Sequence, residues 1–190
     1  MNTNESLHRL EELTNVYLNE LSGFSEEQLI RKSNDEEWSL GQMYVHLIQS
    51  ALFMQIRNIE LCMSSSREEN SSTGEKTEAG KAIFARGSFP PVRIHVPASP
   101  QYTPAQPKDK EQLVEGLDRV LERMKEIEPA LSKFSSPHTE FHPGFGALNG
   151  KEWFLLVEMH YRHHLLQKDR LKKDLEDVVR KQDKPMKIPA

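Results

Sequence analysis

Three histidines share one short stretch, His160, His163 and His164, and imidazole is the side chain best suited to hold a divalent transition metal near neutral pH. At about 100° per residue, with Trp153 set at zero, Val157 falls at about 40°, Leu171 at about 0°, His160 at about 340° and His164 at about 20°. The two outer histidines therefore lie in the middle of an apolar stripe, stacked one turn apart. His163 falls at about 280°, on the flank of that stripe. Glu158, Arg162 and Asp169 fall between about 140° and about 180°, a face the wheel assigns to water. A buried imidazole needs partners for both ring nitrogens, and an apolar stripe supplies few. Two readings answer that need. Either the pair shares a metal, as His at i and i+4 commonly does, or both are core histidines bonded to backbone or buried polar groups.

A fourth histidine sits in an earlier helix. With Met43 at zero, Leu47 lies at about 40°, Met54 at about 20° and His46 at about 300°, on the border of the apolar face. Ser39 and Ser50 flank it, leaving room for the ring to lean into a site between helices. Such a border position is also where partly buried polar residues sit. His8 reads as a surface residue, His95 as a loop residue, and His138 and His142 flank the turn before the last helix. His142 and His163 are candidates to orient a ligand imidazole from outside the metal shell. Glu36 and Glu37 read as solvated, though a loop could bring either to the site. Trp38 and Trp153 read as core anchors, and Cys62 as an inert small hydrophobe.

Four helical segments must position these groups. Leu7, Leu10, Leu13, Tyr17 and Leu21 repeat at helical spacing over about 4–21. A second helix opens at Ser39, with Gln42 completing a capping box, and runs to about Met63. A third starts near Asp109 and carries Leu113, Leu117, Val120, Met124 and Leu131. A fourth follows the capping residue Asn149, with Glu152 at its third position, and extends to Leu175 or beyond. Between the second and third helices, 64–108 is Ser- and Glu-rich and then Pro-rich. Ser64 to Gly80 reads as linker and Phe89 to Pro107 as extended surface chain. Only Val92 to Val96 hints at a strand. The tail, 180–190, is predicted to fray. The reading is all-α: one domain over 1–190, an antiparallel four-helix bundle with a long crossover loop between its second and third helices.

The string Trp38-Ser-Leu-Gly-Gln-Met-Tyr-Val-His46-Leu47 resembles the opening of the second helix in the DinB-like (YfiT-like) superfamily. His142-Pro-Gly-Phe-Gly146, Glu152-Trp153 and His160-Tyr-Arg-His-His-Leu-Leu-Gln167 resemble that superfamily's closing signature. The resemblance covers nearly the whole chain and implies an up-down-down-up bundle. It also implies one divalent metal, zinc or nickel by the habit of the family, held by His46, His160 and His164, and a homodimer as in many members. Its thiol-dependent members imply an enzyme that transfers a low-molecular-weight, bacillithiol-like thiol to a small electrophile. A metal-dependent hydrolase and a non-catalytic metal-binding or stress-response protein are the alternatives. The 64–108 insertion departs from the family pattern and leaves the substrate open.

Composition sets the outer limits. The chain has 190 residues, 36% hydrophobic and 28% charged, enough for one sizeable core. A net charge of −4 with no basic stripe speaks against nucleic acid as a partner. No run of about 18 apolar residues reads as a membrane span. The single cysteine cannot form an internal disulfide, and the polar start lacks a secretory pattern, so a cytoplasmic location is expected. No Glu or Asp lies on the inward stripe of the last helix. That absence favours a thiol nucleophile over hydrolysis, where a carboxylate commonly moves the proton.

Overall fold

The computed structural model describes residues 2–64, 74–91 and 103–182, the last six of these by backbone alone. Helix α1 (Thr3–Ser22) starts where the Asn2 side chain accepts the Glu5 amide. A short α2 (Glu26–Ile30), opened by a Ser25–Gln28 capping box, lies in a connection whose sequence shows no helical periodicity. The second long rod is α3 (Leu40–Gln49), a π-helical segment (Ser50–Ile56) and α4 (Arg57–Ser64). The predicted capping box at its start is present. Ser39 Oγ accepts the Gln42 amide at 3.1 Å and Gln42 Oε1 accepts the Ser39 amide at 3.0 Å. After α5 (Glu78–Arg86) come α6 (Lys110–Leu131), a hairpin of β1 (Thr139–His142) and β2 (Gly146–Asn149), and α7 (Gly150–Gln182).

Side-chain contacts fix the directions of the rods. Thr3 donates to Glu128 and Lys110 to the Ser22 carbonyl, so α1 and α6 run antiparallel. Glu37 meets Arg170 while Cys62 meets Leu148, so the α3–α4 rod runs antiparallel to α7. Tyr17 donates to the Tyr161 carbonyl and Lys168 pairs with Glu20, which makes α1 and α7 parallel. The result is the up-down-down-up bundle that the resemblance implied. Its core joins Leu10, Tyr17, Met43, Leu117, Trp153 and Val157, all fully buried. Each side chain of that size contributes about 1.5–3 kcal/mol by leaving water.

Three features depart from the sequence reading. The second rod is not a straight α-helix. Stepping about 100° per residue from Met43 puts Ile59 at about 160°, facing away from the core. Ile59 is nonetheless fully buried. The π segment supplies the difference, because its wider turns change the angular step. It turns Gln55, Ile56 and Ile59 inward and leaves Phe53 69% exposed. Second, the linker reading of Ser64 to Gly80 fails at its end. Thr77 caps α5 by accepting the Gly80 amide, and the helix continues through the stretch read as loop. Third, the turn before α7 is an antiparallel hairpin, with Phe141 opposite Ala147. Residues 65–73 and 92–102 lie outside the described set, so the Val92 to Val96 hint and His95 do too. Of the tail expected to fray, 183–190 also lies outside it.

The crossover and the hairpin are stitched together into one strap. The Thr77 amide donates to the Phe145 carbonyl at 2.9 Å, and the Ala147 amide donates to the Glu75 carbonyl at 3.1 Å. Thr77 Oγ1 donates to the Gly144 carbonyl at 2.9 Å, and Lys76 pairs with Glu152 at the start of α7. The approach of α5 to the hairpin turn requires Gly80, since a Cβ there would collide with the Phe145 carbonyl. α5 ends at Gly87, whose φ of 68° is the left-handed conformation that glycine adopts without strain.

Candidate metal centre

Two rods bring three imidazoles together. His46, just before the π segment, faces His160 and His164 of α7, and one ligand atom of each lies within 4.8 Å of the others. His46 Nε2 is 3.2 Å from His160 Nε2, and His160 Nε2 is 3.0 Å from His164 Nε2. Neutral imidazoles cannot satisfy both contacts. A ring nitrogen has either one hydrogen or one in-plane lone pair, so His160 Nε2 makes at most one of the two bonds. The His164 tautomer tightens the conflict: its Nδ1 lies 2.7 Å from Gln167 Oε1, an acceptor, so the proton belongs on Nδ1 and a lone pair on Nε2.

A cation among the three nitrogens resolves this, because it accepts all three lone pairs. Four ligands at about 2.0–2.1 Å in a tetrahedron stand roughly 3.3 Å apart, close to the spacing found. The donor set therefore fits a divalent transition metal, and the triad could hold one. Three neutral ligands would leave such an ion its full charge and at least one position for a further ligand.

Burial keeps the rings neutral. It pushes His46 down to about 4 and, with help from the nearby His46, His164 down to about 3. His160 is held well below the ordinary value, first by burial and then by its histidine neighbours. Lone pairs are thus available near neutral pH. His160 Nδ1 is buried and without a partner among the described residues, whereas His46 Nδ1 has only a long 3.5 Å contact with Ser50.

The triad forms part of the wall of a cavity of about 630 Å³, within the ordinary range for small-molecule sites. His142 and His163 line the same cavity without hydrogen-bonding to a triad ring among the described residues. His142 stacks on Phe145, their centroids 4.3 Å apart, and its Nδ1 accepts the Gly144 and Phe145 amides. His163 packs against Phe89 at 5.1 Å. The residue that orients a triad ring by a short bond is Gln167, three positions after His164. Helical spacing alone marks that position; nothing in the residue type does.

Other candidates are placed as follows. His8 is exposed beside Glu12, and His138 bonds Glu140 at 2.8 Å. Cys62 is buried, and burial pushes its thiol up to about 11, the behaviour of an unreactive thiol. Trp153 is a core anchor as predicted, and Trp38 packs against the core while also lining the cavity, its ring centroid 5.1 Å from that of His46. Both Glu36 and Glu37 line the cavity, and Glu37 Oε2 accepts from Arg170 at 2.9 Å. The absence of an acid on the inward stripe of α7 therefore says little about the site, because the carboxylates arrive from the loop before α3.

Glu158 overturns a second expectation. Its side chain is 1% exposed, not solvated, and forms a bidentate pair with Arg162 at 2.7 and 3.0 Å. Arg162 also donates to the Gly87 carbonyl at 2.7 Å. The wheel holds at Asp169, 66% exposed on the same face, and fails at Glu158 because it could not register the tie from Arg162 to the strap.

Among the described residues no helix is long and apolar enough to cross a membrane. No curated protein matches the chain. The family model described as the DinB superfamily matches residues 9–167, which span all three triad histidines and the bundle that carries them, and the chain belongs to that superfamily.

Proposed function

We propose that the chain is a metal-dependent enzyme in which His46, His160 and His164 hold one divalent ion, zinc or nickel, and that it transfers a low-molecular-weight thiol to a small electrophile. The observation that carries this reading is the convergence of three imidazole nitrogens, at 3.0 and 3.2 Å, on the wall of a cavity large enough for two small reactants. When bound, the ion would supply an uncompensated positive charge that favours thiolate over thiol. The chain's own residues do the rest. Gln167 fixes the ring of His164, Trp38 and Phe89 line the cavity beside His46 and His160, and the carboxylates of Glu36 and Glu37 on the same wall would take up the thiol proton. A cytoplasmic setting, where low-molecular-weight thiols are abundant, suits this chemistry, and a homodimer belongs to the same proposal.

Glu36 and Glu37 on the cavity wall favour a second reading, metal-assisted hydrolysis, since that reaction needs a carboxylate to move a proton. One experiment separates the two. Protein purified without a histidine tag is incubated with a panel of low-molecular-weight thiols and a chromogenic electrophile, and in parallel with simple esters and amides. Thiol conjugation above background, lost in His46→Ala and after metal removal, supports transfer. Ester or amide cleavage without conjugation replaces it with hydrolysis. A fully loaded protein inactive in both leaves the non-catalytic metal-binding role.

A further inference from the structure

The cavity above the triad is chemically lopsided. Among the described residues its charged lining, the imidazoles aside, is Glu36, Glu37 and Arg170, and the guanidinium is already engaged by Glu37 at 2.9 Å and Asp174 at 3.4 Å. Away from the triad, two carboxylates against one occupied guanidinium offer no welcome to an anionic side group, although a bound dication would attract an anion to itself. The wall beside the triad carries three aromatic rings among aliphatic and polar neighbours such as Met54, Leu156 and Gln167. Trp38 lies beside His46 on one side, its centroid 5.1 Å away. On the other side Phe89 stands 6.3 Å from His160 and 5.6 Å from Phe145, the two phenyl rings tilted by 59°.

Those two rings do not belong to the bundle. Phe89 follows Gly87, whose carbonyl Arg162 holds, and Phe145 is the tip of the hairpin, whose carbonyl accepts the Thr77 amide. The stitching of crossover to hairpin therefore sets the position of both phenyls together. Both are half-buried, packing against the edge of the core and lining the cavity. Phe145 is stacked on His142 and Phe89 leans on His163, so what the two phenyls turn to the cavity is the part those neighbours leave free, a surface that a flat aromatic guest complements better than a saturated guest of equal size.

From this we infer that Phe89 and Phe145 form an aromatic wall against which the guest packs, and that the small molecule taken by this cavity is an aromatic compound with no anionic group beyond one the metal would bind. The inference deepens the preceding reading and rests on it only in taking that compound to be the electrophile. Binding itself requires no turnover.

The test measures equilibrium binding by titration calorimetry, on metal-loaded and metal-stripped protein, with three probes: 2-naphthalenemethanol, its fully saturated decahydro counterpart and 2-naphthoate. The aromatic alcohol should bind about tenfold tighter than the saturated alcohol, in line with two favourable ring pairs. In metal-stripped protein it should also bind tighter than the naphthoate anion. The double variant Phe89→Leu/Phe145→Leu keeps apolar bulk and should erase the aromatic preference while helical circular dichroism and metal content stay unchanged. Equal binding of the two alcohols overturns the aromatic wall, as does a preference that survives the double variant. Tighter naphthoate binding without metal overturns the exclusion of anionic groups from the rest of the cavity. Failure of thiol conjugation with these binding results intact would sink the enzymatic reading and leave the aromatic wall standing.

Discussion

The two sides of the cavity are built from different kinds of chain. The histidine side belongs to two long helices of the bundle, where ring positions follow from helical geometry and the core residues around them. The aromatic side belongs to the strap, a nine-residue helix and a hairpin of four-residue strands laid over the bundle's outside. On the first side, neighbours three and four residues apart do the positioning: His160 with His164, and His164 with Gln167. On the second, Thr77 reaches Phe145 and Arg162 reaches Gly87, each joining segments far apart in the sequence. Because different hydrogen bonds hold the two sides, the metal centre and the aromatic wall should respond separately to substitution, although Phe89 packs near both His160 and His163.

The largest expected effect strikes the histidine side. Purified wild-type protein should carry about one divalent metal per chain, as an open three-histidine site does, and His160→Ala should bring it near zero by elemental analysis. His8→Ala, a change at an exposed helix position, should leave it intact. Equal metal content in the two variants would remove the basis for treating the triad as a site.

Next comes the anchor of the strap. Arg162→Leu leaves the buried Glu158 carboxylate without its partner. The cost should be about 2–3 kcal/mol in denaturant unfolding, less than the roughly 3–5 kcal/mol of a fully buried pair, because Arg162 is partly exposed. Metal content should not change, while the preference for aromatic probes should weaken as the Gly87 carbonyl loses its donor. Metal lost together with stability would mean that the two sides are one cooperative unit.

The smallest effect sharpens the histidine side alone. Gln167→Leu removes the acceptor that fixes the His164 tautomer, and metal affinity should fall about 10- to 100-fold with the fold and the aromatic preference unchanged. Competition with a chelator of known affinity reads this directly. An unchanged affinity would show that the 2.7 Å bond does not orient the ring.

How much of this was legible in the residues follows the same division. The bundle announced itself through local signals: the Ser39–Gln42 capping box, the Asn149 cap and the leucine spacing of α1 and α6. The wheel placed His160 and His164 on one inward face and His46 at the border of another, and the resemblance joined the three. Local periodicity failed where the backbone changed its own period, at the π segment that turns Ile59 inward. It failed again at Glu158, where the polar face of a helix met a cover that the sequence of that helix does not encode.

What the sequence determined by itself was the set of long amphipathic helices and the histidines on their inward faces, because spacing along one helix fixes which side chains share a side. Only the tertiary structure decided that Glu36 and Glu37 reach the cavity, that Gln167 rather than His142 or His163 bonds a triad ring, and that Phe89 and Phe145 meet above the site. These are contacts between elements distant in sequence, or choices among rotamers within hydrogen-bonding reach. No local period encodes them, because their energy comes from surfaces that exist only once the chain has folded.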